Sequence, residues 1–198
     1  MIGAGFTTVD PITRTRVELL EVVRNADGDD FVLECRCPAG AGPFALEHLH
    51  LSWTERFEIV SGDAQYKLNG TMGSARAGET VVMPPGQPHV HPWSAGDEDL
   101  VYRQVARFEA PNPEAVPDVF GAFATLFGLA REGKVNRRGL PRNPLQFAAT
   151  LRTFVKHDGF DAQVPVPVQR VVAATLGRLA EGMGYRSSYP RYLEPAAA

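Results

Sequence analysis

From about residue 6 to residue 109 the chain is written in short apolar runs separated by turn formers. The runs are Thr15–Val23, Phe31–Cys37, Leu46–Ser52, Arg56–Gly62, Ala64–Gly70, Thr80–Pro84 and Leu100–Phe108. Phe31–Cys37 alternates between apolar and polar positions, as a strand with one buried face does. The separators are Asp27–Asp30, Ala39–Pro43, the Ser-Gly-Asp triplet at 61–63, Asn69-Gly70, Ala77–Glu79 and the rigid loop Pro84–His89. Asn-Gly is a strong tight-turn signal. Many short strands at near-even spacing predict a mainly β architecture, a sandwich or a barrel.

After residue 109 the period changes. Glu109–Asp118 carries three prolines and reads as a linker. Three helical patterns follow. Residues 117–133 place Phe120, Phe123, Leu126, Phe127 and Ala130 on one face. Residues 143–159 begin with Asn143 as N-cap and Pro144 at N1, and carry Phe147, Ala148, Leu151, Phe154 and Val155 as a stripe. Residues 167–184 carry Val168, Val171, Val172, Leu176, Leu179 and Met183. Such stripes are packing surfaces far more often than ligand sites, so all three are expected to be buried. The boundaries predicted are a barrel over 1–109 and a helical extension over 110–198, packed on the barrel or at a dimer interface. The last five residues, Glu-Pro-Ala-Ala-Ala, are expected to fray.

The 198 residues are 44% hydrophobic and 22% charged, enough for a real core. The net charge of −3 gives no sign of nucleic-acid binding. It is unevenly spread: residues 1–110 carry 9 basic and 16 acidic side chains, the remainder 11 and 7. No apolar run approaches a membrane span, and the N-terminus lacks a signal-peptide pattern, so a cytoplasmic location is expected. Cys35 and Cys37, two residues apart, make neither a good disulfide nor a zinc site and read as buried small residues.

Candidate chemistry sits in Glu47–Glu55, "EHLHLSWTE". On a strand, His48 and His50 share one face while Glu47, Leu49 and Leu51 share the other. Glu55 follows His50 by an odd step, so Ser52–Thr54 must bend to re-aim it. Beyond the bend Glu55, Phe57 and Ile59 share a face. Gly42, His48, His50, Glu55 and Gly62 fit the spacing Gly-x5-His-x-His-x4-Glu-x6-Gly. Gly78, Pro84, Gly86 and His89 fit Gly-x5-Pro-x-Gly-x2-His. These two segments resemble the paired motifs of the cupin superfamily. The second motif often ends in Asn, where this chain has Trp93. Four of the five histidines fall inside the two segments.

The resemblance implies a double-stranded β-helix (jelly-roll) barrel with one divalent transition metal held by His48, His50, Glu55 and His89. Three imidazoles and a carboxylate suit Fe first, with Mn, Ni, Cu or Zn as alternatives, and do not suit Ca or Mg. Glu55, His91 and Tyr66 are candidate catalytic groups. Phe57, Ile59, Tyr66 and Trp93 are candidate pocket walls. For His91 a place at the solvent-exposed barrel mouth is expected over a role beside the metal. Trp53 and Trp93 are expected to frame the entrance. Only one of Arg103 and Gln104 can point inward, and His157 is expected to be exposed.

Three functions follow: a dioxygenase-type oxidoreductase acting on a chelating enol or diol, a non-redox lyase, isomerase or cyclase, or a binding module. The partners expected are a small-molecule substrate and a second copy in a homodimer, with neither nucleic acid nor stable membrane insertion.

Overall fold

The computed structural model describes residues 2–193, so the terminal Glu-Pro-Ala-Ala-Ala lies outside the described residues. Among the described residues eleven strands form two antiparallel sheets. One sheet runs β1 (Thr7–Val9), β2 (Arg16–Asn25), β3 (Gly28–Cys37), β10 (Leu100–Phe108), β5 (Trp53–Ser61) and β8 (Thr80–Met83), in that spatial order. The other runs β11 (Gly159–Asp161), β4 (His48–His50), β9 (His89–Ser94), β6 (Asp63–Leu68) and β7 (Thr71–Arg76). The strong runs of the sequence supply β2, β3, β4, β5, β6, β8 and β10. Their alternation becomes burial: along β5, Trp53, Glu55, Phe57 and Ile59 are all buried. On β10, Leu100, Tyr102, Gln104, Ala106 and Phe108 point the same way.

Four strands have no apolar run to announce them. β7 ("TMGSAR") exists because all six of its residues pair with β6, from Asp63↔Arg76 to Leu68↔Thr71. β9 follows directly on the Pro84–His89 loop. The turn that closes β5 needs Gly62: its φ is +80°, and a Cβ there would lie 2.5 Å from the Asp99 carbonyl oxygen.

The extension joins the barrel at two places. Helix α1 (Ala115–Arg131) sets Phe120 edge-on against Phe6 and Phe31, with ring centroids 6.2 and 6.0 Å apart. Helix α2 (Pro144–Lys156) starts as expected: Asn143 accepts hydrogen bonds from the Leu145 and Gln146 amides, and Pro144 is the first helical residue. After α2 the chain forms β11, which pairs with β4 in the register Gly159↔His50, Phe160↔Leu49, Asp161↔His48. A strand from the extension therefore covers the edge of the strand that carries His48 and His50.

The last helical stretch is continuous: α3 (Val166–Val172), a π-helical segment (Ala173–Gly177) and α4 (Arg178–Gly182). Within the single chain the apolar stripe is not the face it buries. Val168, Val171, Leu176, Leu179 and Met183 are exposed, between 47% and 61%, and Val172 is only partly buried. The buried residues are Gln169, Ala173, Gly177 and Ala180. Small side chains let this face approach α2 closely. A Cβ on Gly177 would lie 2.9 Å from Arg152 Cβ and 3.1 Å from the Ala148 carbonyl oxygen. Close backbone approach there has displaced burial of the larger side chains.

No helix among the described residues is long and apolar enough to cross a membrane.

Candidate metal centre

Two strands from each sheet converge inside the barrel. From the five-stranded sheet, β4 brings His48 and His50 and β9 brings His89 and His91; register places His48 directly opposite His89. From the six-stranded sheet, β5 brings Glu55 and β10 brings Gln104. The bend at Leu51-Ser52 carries the chain from one sheet to the other, which is why an odd step still aims Glu55 at the histidines. Glu47, expected on the face opposite the histidines, pairs with Lys67 at 3.0 Å and still contributes to the lining of the cavity on which the histidines open.

Glu55 is 1% exposed, and an isolated carboxylate so deeply buried would be costly. It is surrounded by nitrogen. Oε1 accepts from Gln104 Nε2 at 2.5 Å. Oε2 lies 2.8 Å from His89 Nε2, 3.2 Å from His91 Nε2 and 3.7 Å from His50 Nε2. Burial alone would raise the Glu55 carboxyl. The histidine charges and hydrogen bonds outweigh it and hold the group well below the usual carboxylate range.

Tautomers follow from the carbonyls. His48 Nδ1 is 2.7 Å from the Leu46 carbonyl oxygen, and His89 Nδ1 is 2.8 Å from that of Gln87. Only an N–H can satisfy a carbonyl, so both rings donate from Nδ1 and turn Nε2 inward. This is the arrangement in which a histidine ligates a metal through one nitrogen while the other is tied to a backbone acceptor. His89 Nε2 then faces a carboxylate oxygen at 2.8 Å, and a shared proton or a cation must stand between them. Burial would lower His89, but its contact with Glu55 raises it above the ordinary imidazole value. Burial drives His50 down to about 3 and His48 well below its ordinary value, so both are neutral.

The donor set fits a divalent transition metal on a direct observation. Both ring nitrogens of buried His50 lack a hydrogen-bond partner, as does His91 Nδ1. Each unpartnered buried polar atom costs about 1–3 kcal/mol, which a bound cation would relieve. The ligand atoms of His48, Glu55, His89 and His91 lie within 4.8 Å of one another, and His50 stands beside them with its ring centroid 5.0 Å from that of His48. The structure thus brings together all four motif residues and a further histidine.

The cluster opens on a cavity of about 440 Å³ whose lining includes His48, His50, Glu55, His91 and Gln104. Several expectations are corrected here. His91 is 6% exposed and belongs to the cluster, not to a wet barrel mouth. Phe57 and Ile59 face inward but are core residues away from the cavity lining, at 0% and 3% exposure; Phe57 packs on His91 and Tyr102. Tyr66 does not line the cavity, because its ring lies over Gly73 of β7, where a Cβ would sit 2.4 Å from it. Trp93 is opposite Gln65 on β6 and is also absent from the lining. Trp53 does line the cavity, but as a buried ring stacked on Phe108 and 3.5 Å in centroid distance from His50. His157 is buried at 3%, donating from Nε2 to Asp118 at 2.8 Å, because α1 and not solvent lies against that end of α2. Gln104, undecided from parity, is the inward member of its pair; the even residues of β10 are the apolar ones, a signal that was available.

No protein-family model matches the chain, and no curated protein is significantly similar to it. Solved structures resemble it weakly. A Cupin 2 conserved barrel domain protein from Salinispora arenicola is 23% identical over 48% of this chain and 76% of that one, with a TM-score of 0.37. A predicted oxalate decarboxylase from Thermotoga maritima is 18% identical over 52% and 90%, with a TM-score of 0.40. A putative sugar phosphate isomerase from Acidithiobacillus ferrooxidans is 18% identical over 39% of this chain, which spans about half (49%) of its length, with a TM-score of 0.36. The two facing antiparallel sheets, with both histidine-bearing segments adjacent in one and the motif glutamate opposite them in the other, form a double-stranded β-helix (jelly-roll) barrel, the fold that the two motif segments imply.

Proposed function

We propose that the protein is a metal-dependent enzyme acting on a small molecule, of the dioxygenase type, with a chelating enol or diol as substrate. The observation that carries the reading is the buried cluster of four histidines and a glutamate, with unpartnered ring nitrogens on His50, at the wall of a large cavity. His48, His50, Glu55 and His89 would hold the metal, iron first among the candidates. A bound ion would supply Lewis acidity, vacant positions for two substrate oxygens and, if iron or copper, electrons for O₂. Gln104 fixes one oxygen of Glu55, leaving the other to face the histidines. His91 holds a proton at Nε2 against Glu55 and keeps an unpartnered lone pair at Nδ1. That lone pair can take the proton of a substrate hydroxyl.

The proton-handling pair Glu55–His91, with Gln104 fixing the carboxylate, also supports a second reading, non-redox lyase or isomerase chemistry through an enolate. Metal analysis of anaerobically purified protein, then O₂ uptake against a panel of bidentate enols and diols, decides between them. Iron or copper with substrate-triggered uptake supports oxidation; zinc, or turnover unchanged without O₂, supports the second. His50→Ala should lower metal affinity by more than about 100-fold and His91→Ala by about 10–100-fold, the cost of an orienting neighbour. The reverse order would make His91 the ligand in place of His50.

A further inference from the structure

The apolar stripes of α1, α2 and α3 close on one another only in part: Phe123 of α1 meets Phe154 of α2 edge-on, with ring centroids 5.5 Å apart. Phe123 and Leu126 of α1, Phe147, Leu151 and Phe154 of α2 and Val168 of α3 all line the cavity that reaches His48, His50 and Glu55. Every residue that α1 contributes to that lining is apolar. Phe123, Leu126, Phe147, Leu151 and Phe154 are only partly buried, while the small residues Ala148 and Ala149 of α2 are fully packed. Protein interiors are normally close-packed, and aromatic rings that face a void forfeit the contacts on that side. At about 440 Å³ the space falls within the range of pockets that take drug-sized ligands.

We infer that the substrate is amphipathic: a chelating oxygen head at the histidine cluster, joined to a hydrocarbon body that fills the chamber built by the C-terminal helices. A substrate polar throughout, such as a sugar, would find partners only along the polar part of the lining, Thr13, Arg137 and Arg138 among it, and would bury its remaining hydroxyls against phenylalanine and leucine at a cost in affinity for each. A hydrocarbon body restores the missing contacts and is removed from water. The extension is in this sense the substrate-selecting part of the molecule, and β11 joins it to the strand bearing His48 and His50. The inference rests on the metal reading for the position of the head; the chamber itself is independent of it.

The test is a series of straight-chain hydroxamic acids, from acetohydroxamate to dodecanohydroxamate, titrated calorimetrically into the metal-loaded protein. Affinity should rise about fourfold for each methylene until the chamber is full. A flat series overturns the inference while leaving the metal reading intact. Leu151→Trp should stop the gain at a shorter chain. Val168→Trp should do the same, and since Val168 is 51% exposed the added bulk leaves the fold in place. An undiminished gain in Val168→Trp would show that the chains bind elsewhere and overturn the inference. The same lengths of n-alkanoate, titrated into protein stripped with EDTA, separate the two readings. Length-dependent binding there, in a protein that takes up no metal, supports the chamber and removes the metal; its absence counts against the chamber.

Discussion

Strand β5 and the last helical stretch carry equally clear apolar patterns, yet they bury different things. On β5 every second residue from Trp53 to Ile59 is buried, as the pattern demands. On α3–α4 the large apolar residues Val171, Leu176, Leu179 and Met183 are exposed, and Ala173, Gly177 and Ala180 are buried. A paired strand has two faces and a period of two residues, so its register leaves one choice. A helix has a continuous circumference and can rotate to present whichever face approaches its neighbour best. Here α2 offers Ala148 and Ala149, and the opposing small residues allow close backbone contact. Pattern strength in a helix thus identifies a surface that needs a partner, without saying that the partner is the rest of the chain. On α1 and α2 the same kind of stripe has a third fate, lining a cavity.

The sharpest way to break this contrast is to change the size of one residue on each side of it. Phe57→Ala, in the barrel interior at 0% exposure, should cost about 3–5 kcal/mol of stability in urea unfolding. Gly177→Leu, pressed between Arg152 and the Ala148 carbonyl, should cost about 1–3 kcal/mol by overpacking. If Gly177→Leu were neutral, the small-residue contact would not be what orients the helix.

A smaller effect tests the tie between α1 and α2. Burial alone would raise the Asp118 carboxyl, but hydrogen bonds from Lys156 and His157 lower it below its ordinary value. Because the folded state depresses this group, its stabilisation is present above the ordinary aspartate range and is lost as the pH falls through the folded value. The side chain is 36% exposed, so solvent screening limits the contribution to under about 1 kcal/mol. Asp118→Asn should therefore lower the melting temperature slightly at pH 7 and by progressively less as the pH falls below the ordinary aspartate range, compared with wild type in parallel melts. A deficit of equal size throughout would show that the pairing is not responsible.

The smallest effect belongs to the exposed row. Leu179→Ser should change monomer stability by no more than about 0.5 kcal/mol. Light scattering addresses the homodimer proposed from the sequence. Twice the chain mass of 21.6 kDa supports it, and one chain mass overturns it.

Much of the barrel was legible because β alternation leaves a mark on every second residue of Phe31–Cys37 and Arg56–Gly62. β7 was illegible: "TMGSAR" has no apolar face, and its strand conformation comes from six cross-strand pairs with β6. β11 was hidden for the same reason, since three residues hold no pattern and its identity lies in the pairing of Phe160 with Leu49. His48, His50, Glu55 and His89 were legible through spacing and resemblance. His91 shared their parity, but its burial did not show in the sequence, because Phe44 and Phe57, which enclose it, come from distant positions. Tyr66 failed as a site residue because parity gives a face, while the position along the barrel decides what lies against it.

The residues by themselves determined a β barrel with a helical appendage, and they marked His48, His50, Glu55 and His89 as candidates to hold a metal. Both rest on local regularities, the strand period and the fixed spacing of donors along one chain. Tertiary structure decided what those regularities met. It set Gln104 against Glu55 and closed His91 into the cluster. It added β11 beside the histidine strand and left the stripes of α1 and α2, which meet at Phe123 and Phe154, lining a cavity. Each of these depends on contacts between residues far apart in sequence, whose free energies compete with one another only once the chain has folded.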